Sequence, residues 1–208
     1  MSNVQGLNVV IDLSHYNAVA PTSFSEIKSA GIVGIIHKAT EATNWTDPTY
    51  VQRKPQALAA GLWWGAYHFG TNDDGTAQAQ YFLSQVNPKP NDLLALDFEE
   101  NPKSQMTIAQ AEQFVTEVFK QTGRYPGFYS DALAGKMLGS SNSAILANCW
   151  FWRAQYGASA PIVPPTWSTW TMWQYTSSGP VSGLNAPCDR DTFNGSMDQL
   201  SQLWGYSS

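Results

Sequence analysis

LLALDFEEN, Leu93 to Asn101, is an apolar run that ends abruptly in carboxylates. The run has the length and composition of a buried strand. An extended backbone turns successive side chains to opposite faces, so Asp97 and Glu99 share a face, about 6.5 to 7 Å apart at Cα, while Phe98 enters the other layer. Two carboxyls this close are not both comfortable as anions, and the less solvated one keeps its proton to higher pH. That is how an acid and a charged stabiliser are made from one residue type. The plainer reading is a solvated strand end that caps a neighbouring helix, and Glu100, beside Asn101–Pro102, is read that way. The stretch alone does not separate the two readings for Asp97 and Glu99.

The same pattern extends in both directions. Strand-like runs at 8–13, 33–38, 63–69, 93–98 and 127–130 alternate with helical patterns around 24–30, 50–60, 75–83 and 108–122. Gly31, Gly61 and Gly123 supply helix stops. Such alternation predicts parallel strands with covering helices. After Ser130 the rhythm changes: a helix at about 131–138 precedes aromatic strand-like runs at 150–156, 170–175 and 187–191, joined by loops rich in Pro, Gly and Ser. The later strands are expected to be hairpin-connected. The simplest closed solution is an α/β fold: a modified, irregular barrel of about eight strands with fewer than eight helices. No repeat, linker or low-complexity tract divides the 208 residues, so 1–208 is expected to be one domain.

Charged residues make up 13% of the chain and aromatic residues another 13%, which argues for a folded globule over disorder. The net charge of -5, without any basic run, offers no attraction for nucleic acid or an anionic membrane. The start, MSNVQGLNVV, has neither a basic region nor a long apolar one, so no export signal is read in it. Cys149 and Cys188 lack metal or redox spacing; they are either two buried thiols or one bridge, depending on a separation the sequence does not give.

In α/β barrels the reactive groups come from the carboxyl ends of the strands. Asp12 ends the first predicted strand and Lys38 the second, His68 lies near the end of the third, and Asp97 and Glu99 end the fourth. Tyr129, Gln155, Gln174 and Asp189 follow on later strands. Closure makes the first and last strands neighbours, which puts Asp12 and Asp189 on one side of the mouth with the fourth strand roughly opposite. Carboxylates on two sides of a groove are the layout glycoside hydrolysis needs.

At this point the chain resembles the glycoside hydrolase family 25 muramidases. The similarity runs in order through VIDLSHYN (10–17), IIHKATEATNWTDPTY (35–50), AAGLWWGAYHFG (59–70), LALDFEEN (94–101), PGFYSD (126–131), FWRAQYG (151–157), MWQYTSSGPVSG (172–183) and CDRDTFNGS (188–196). Each stretch is weak alone; ordered and spaced together they are specific. The resemblance implies a lysozyme that cleaves the β-1,4 bond between N-acetylmuramic acid and N-acetylglucosamine, with no cofactor. It implies Glu99 as general acid, Asp97 as the carboxylate that orients the substrate's acetamido group, and Asp12 and Asp189 as further carboxylates of the centre. Two departures stand out: Asp191 where the family usually has Asn, and Ala42 where glycine is common. The implied partner is the glycan strand of peptidoglycan, met by a monomer. No wall-binding repeats accompany the domain, and a secreted mature form, a phage endolysin and a delivered effector all fit a wall-directed enzyme.

Tyr67 and Tyr129 are candidates to hydrogen-bond the acetamido group, and Trp152 and Trp173 to stack on sugars, against the alternative of core packing. Gln155 and Gln174 are polar candidates at strand ends. Lys38 either reaches a muramyl carboxylate or forms a strand-end ion pair. His15, His37 and His68 raise a metal-dependent polysaccharide deacetylase as an alternative, but no HxH or HExxH spacing supports a metal site; EDTA treatment discriminates. A non-catalytic glycan-binding barrel is the other alternative, separated by a turnover assay on cell walls.

Overall fold

The computed structural model describes residues 6–206; residues 1–5, which enter the leader reading, lie outside them. The five apolar runs of the first half become parallel strands: β1 (Leu7–Leu13), β2 (Gly34–Glu41), β4 (Trp63–Phe69), β5 (Leu93–Asp97) and β6 (Gly127–Ser130). They continue into β7 (Trp150–Ala154), β8 (Met172–Gly179) and β9 (Cys188–Phe193). The order is β1-β9-β8-β7-β6-β5-β4-β2, and pairing of β1 with β2 closes an eight-stranded barrel. A two-residue strand, β3 (Trp45–Thr46), folds back on the end of β2.

The second half is less hairpin-like than its loops suggest. β6, β7 and β8 are parallel, and only β9 runs antiparallel, to β8 on one side and β1 on the other. The β7–β8 connection covers the barrel with tryptophan instead of a helix. Trp167 stacks on Phe151 with ring centroids 4.2 Å apart and donates Nε1–H to the carbonyls of Leu146 and Cys149.

Five helices pack outside: α1 (Ser23–Ser29), α2 (Tyr50–Ala59), α3 (Gly75–Val86), α4 (Ile108–Thr122) and α5 (Leu133–Leu138). α4 starts at a reciprocal cap between Thr107 and Gln110 and stops at left-handed Gly123. α3 runs a turn beyond the sequence reading because its stop is Asn87, in left-handed conformation, not a glycine.

Strand alternation sorts side chains into two cores. Ile11, Leu94, Leu96, Phe98, Phe128 and Phe151 face the helices, where Phe82, Phe114 and Val115 meet them. Val10, Ile36, Leu93, Ala95 and Met172 fill the barrel. A sixth helix, α6 (Met197–Trp204), was not anticipated; it begins at a Ser196–Gln199 cap and closes the amino-terminal end. Trp204 is wholly buried there and donates Nε1–H to the carbonyl of Trp64 at 2.9 Å. Gly34 makes room: a Cβ at that position would lie 2.7 Å from the Trp204 ring. Cys149 and Cys188 are free, buried thiols; no bridge forms.

Candidate active site

At the opposite end, carboxyl groups converge on a cavity of about 170 Å³. β1 and β9 bring Asp12 and Asp189 directly across from each other as ladder partners on one wall. Asp97, the last residue of β5, and Glu99 just beyond it form the other wall. Tyr67, Tyr129, Trp152 and Gln174 line the space between, and Tyr156 stands at the rim, 61% exposed. The volume is small beside the roughly 300–1,000 Å³ of typical ligand pockets, so it suits the reacting end of a longer ligand that continues along the surface. A larger cavity lies elsewhere, at the ends of α3 and α4, where its carboxylate Asp92 is already paired with Lys54 at 2.7 Å.

Hydrogen bonds tie the two walls together. Gln174 donates Nε2–H to Asp12 Oδ2 at 2.8 Å, which leaves Gln174 Oε1 to accept from the Tyr129 hydroxyl at 2.9 Å. Tyr129 also contacts Glu99. A hydroxyl proton turned to Glu99 would lower its pKa, but Asp12 fixes the amide so that Gln174 Oε1 needs that proton. The Tyr129–Glu99 contact is therefore better met with Glu99 as the donor, in its acid form.

Burial dominates the ionisation of every carboxyl here. It raises Glu99 above the usual glutamate value, opposed by the Tyr129 hydroxyl and Lys38 and helped by the charges of Asp131 and Asp189. Asp97 is pushed well up, first by burial and then by Glu99. Asp12 rises through burial, Asp189 and Asp191; Asp189 rises through burial. Asp97 is the deeper member of the DFE pair, and the two carboxyls oppose each other's ionisation. Asp97 Oδ1 is buried with no hydrogen-bond partner, a free acceptor at the cavity.

Three predicted binding residues are not brought to the cavity. Trp173 points outward into the helix-side core, fully buried, and donates Nε1–H to the Gln155 carbonyl at 2.6 Å. Gln155 turns Oε1 to the backbone N–H of Ile162 at 3.1 Å. Lys38 lies inside β2, paired with Glu41 at 2.7 Å and set over the rings of Phe69 and Trp45. Trp152 does line the cavity, with its N–H given to Asp191 and its ring edge-on to Tyr129. The residues not singled out were Tyr156, which closes the run 150–156, and Asp131, two positions after Tyr129.

The histidines are spoken for by the scaffold. His37 bonds the Lys38 carbonyl and Arg53, His68 bonds Thr40 and Gln78, and burial lowers both to about 4. His15 contacts Asp47 at 2.9 Å. Among the described residues no cluster of three His, Cys, Asp or Glu side chains is arranged to hold a metal ion.

A closed α/β barrel with carboxyls on two walls of its carboxyl-end mouth defines a glycosidase-type site. Residues 11–184 match glycosyl hydrolases family 25. The chain is 36% identical to lysozyme M1 of Streptomyces globisporus, over 97% of its own length and 71% of that protein's. It is 29% identical to the N,O-diacetylmuramidase of Chalaropsis, over 92% and 96% of the two lengths. The crystal structure of the bacterial lysozyme from Streptomyces coelicolor superposes with a TM-score of 0.88, at 34% identity, covering 98% of this chain and 99% of that one. The chain belongs to family 25 of the glycosyl hydrolases and is a glycoside hydrolase. Asp12, Asp97 and Glu99 fall inside the matched span; Asp189 and Asp191 lie beyond it.

Proposed function

We propose that this enzyme is a muramidase that cleaves the β-1,4 bond between N-acetylmuramic acid and N-acetylglucosamine in peptidoglycan, with Glu99 as general acid and then base. The observation that carries the residue roles is the DFE geometry: a half-buried Glu99 held toward its acid form, beside a buried Asp97 with an unpartnered oxygen. Asp97 lies on the same strand end as the acid, poorly placed to attack the anomeric carbon from the opposite face. It is well placed to accept a hydrogen bond from the substrate's acetamido N–H, so that the acetamido oxygen becomes the nucleophile, the substrate-assisted exception to the two-carboxylate scheme. Asp12 and Asp189 face the developing positive charge from the other wall, where fixed negative charge acts mainly in the transition state. Tyr67 and Tyr129 supply hydroxyls, and Tyr156 an exposed ring at the rim.

The same ladder pair supports a second reading, in which Asp12 or Asp189 activates water and inverts the configuration. Proton NMR of the first-formed anomer, collected before mutarotation, separates them. A β-anomer is expected from the acetamido route; an initial α-anomer refutes it. The absence of new reducing ends on digestion of purified walls would refute the muramidase reading itself. No helix among the described residues is long and apolar enough to cross a membrane. We place the site of action at the bacterial wall.

A further inference from the structure

Asp191 is a fully buried carboxyl on β9 whose neighbours do not explain how it is tolerated. Its Oδ1 accepts the Trp152 indole N–H at 2.7 Å. Its Oδ2 is buried, and no donor among the described residues faces it. The groups around it are known from every packed element. β1 presents Asp12, in hydrogen-bonding contact with it, and β9 adds Asp189. β8 presents the neutral Gln174, its ladder partner, and β7 presents Trp152. The nearest cation, Arg190, alternates to the other face of the strand and donates Nη2–H to the carbonyl of Asn8. Thus Asp12 and Asp191, two carboxyls without a cation between them, meet in a buried site. Two acceptors in contact repel unless one carries a proton, and a protonated carboxyl becomes a donor.

We propose that Asp191 and Asp12 share one proton, so that the two carboxyls form a singly charged pair in which Asp191 acts as a positioning residue for Asp12 at the cleft. The pair explains both orphaned features at once: the bare Oδ2 is one end of the shared hydrogen bond, and Asp12, anchored on its other side by Gln174, is held between two partners. It also gives meaning to the departure from the asparagine that the family resemblance suggests here. An asparagine would accept from Trp152 through Oδ1 and donate to Asp12 through Nδ2 at every pH; the aspartate does so only while the pair keeps its proton. Burial, first among the causes, holds Asp191 up to about 8. Above that range a second negative charge appears beside Asp12, and the geometry is lost.

This inference rests on Asp12 being a working carboxylate of the cleft, and its test is chosen to be separable from that reading. Asp191→Ala removes the donor and leaves the Trp152 N–H unpaired. It should lower kcat on soluble wall oligosaccharides about tenfold or more at pH 5, with KM changed less than about threefold. Asp191→Asn, which keeps both hydrogen bonds, should restore at least about half of the wild-type kcat at that pH. The second readout needs no activity. A carboxyl that keeps its proton when folded and loses it when unfolded makes stability fall as pH rises between the two ionisations. Denaturant unfolding of the wild type should therefore lose ground to Asp191→Asn progressively from about pH 4 to about pH 8. A stability gap that stays flat across that range overturns the shared proton whether or not the enzyme turns over. An Asp191→Asn variant as slow as Asp191→Ala also overturns it, because the carboxylate charge would then be the required feature. If no turnover is found in any variant but the gap widens with pH, the pair stands and the muramidase reading falls.

Discussion

The two ends of the barrel are chemically opposite. At the amino-terminal end Trp204, Leu200 and Phe193 close the interior with apolar surface, which favours folding by roughly 25 cal/mol for each Å² removed from water. At the carboxyl end the same removal from water is applied to Asp12, Asp97, Glu99, Asp189 and Asp191, and it raises every one of their pKa values. Burial at one end stabilises; at the other it opposes folding at neutral pH and prepares acid chemistry. Stability and reactivity are thus set by different layers of one interior.

Glu99→Gln should break the upper end alone. It removes the proton donor and keeps the shape, so wall lysis should fall by about 10² to 10⁴-fold. Because Glu99 is raised in the folded state, its unfolded form releases the proton first, and stability is lost as pH climbs through that interval. The Gln variant should therefore melt at the same temperature or higher at pH 7. More than about half the wild-type lysis rate with native circular dichroism would remove Glu99 from the acid role.

Trp204→Ala should break the lower end alone. Loss of a fully buried indole, with its hydrogen bond to Trp64, should cost about 3–5 kcal/mol in urea unfolding. At temperatures where the variant is folded, kcat should stay within about twofold of wild type. A specific loss of kcat at full folding would show that the two ends are coupled.

A smaller effect sharpens the upper end itself. Asp131 stands among the causes that raise Glu99. Removing the Asp131 charge lowers the Glu99 pKa, so the alkaline limb of kcat/KM, which reports the free enzyme, should move to lower pH in Asp131→Asn. Asp97→Asn should reduce kcat and move that limb in the same direction, because a neighbouring carboxylate charge helps keep Glu99 protonated. A limb unmoved in both variants would show that burial alone holds Glu99 up.

Much of this contrast is legible in the sequence. The stretches at 63–69, 108–122 and 127–130 became β4, α4 and β6 with the predicted limits, because apolar periodicity and end signals agree there. The convergence of Asp12, Asp97, Glu99 and Asp189 followed from strand alternation plus closure. What stayed hidden depends on register. Trp152 pairs with Met172 and faces the barrel, while Trp173 pairs with Arg153 and faces the helices; one residue of offset decides which tryptophan meets the cavity. α6 is not among the elements read from the sequence although the Ser196–Gln199 cap signals it, since its burial depends on a barrel end that only the closed fold creates. The depth of Asp97 relative to Glu99 likewise depends on packing that no local pattern carries.

At the rim the backbone carries a strain of its own. Ala42 sits in the turn from β2 to β3 with φ at 52°, the left-handed region, at the position where the family resemblance suggests glycine. An L-residue held there costs roughly 1–2 kcal/mol through contact of its Cβ with the following carbonyl. Glycine removes that contact but gains freedom in the unfolded chain, which returns about 0.5–1 kcal/mol. Ala42→Gly should therefore stabilise by a net of about 0.5–1 kcal/mol, equivalent to a rise in Tm of about 1–4 °C for a chain of this size. The denaturant slope should be unchanged, because no surface is exposed differently. A fall in Tm would mean that the alanine stiffens the turn more than it strains it. The Trp45 platform that the turn presents beside Lys38 would then depend on that stiffness, and strain at the rim would count as part of the site and not as a defect beside it.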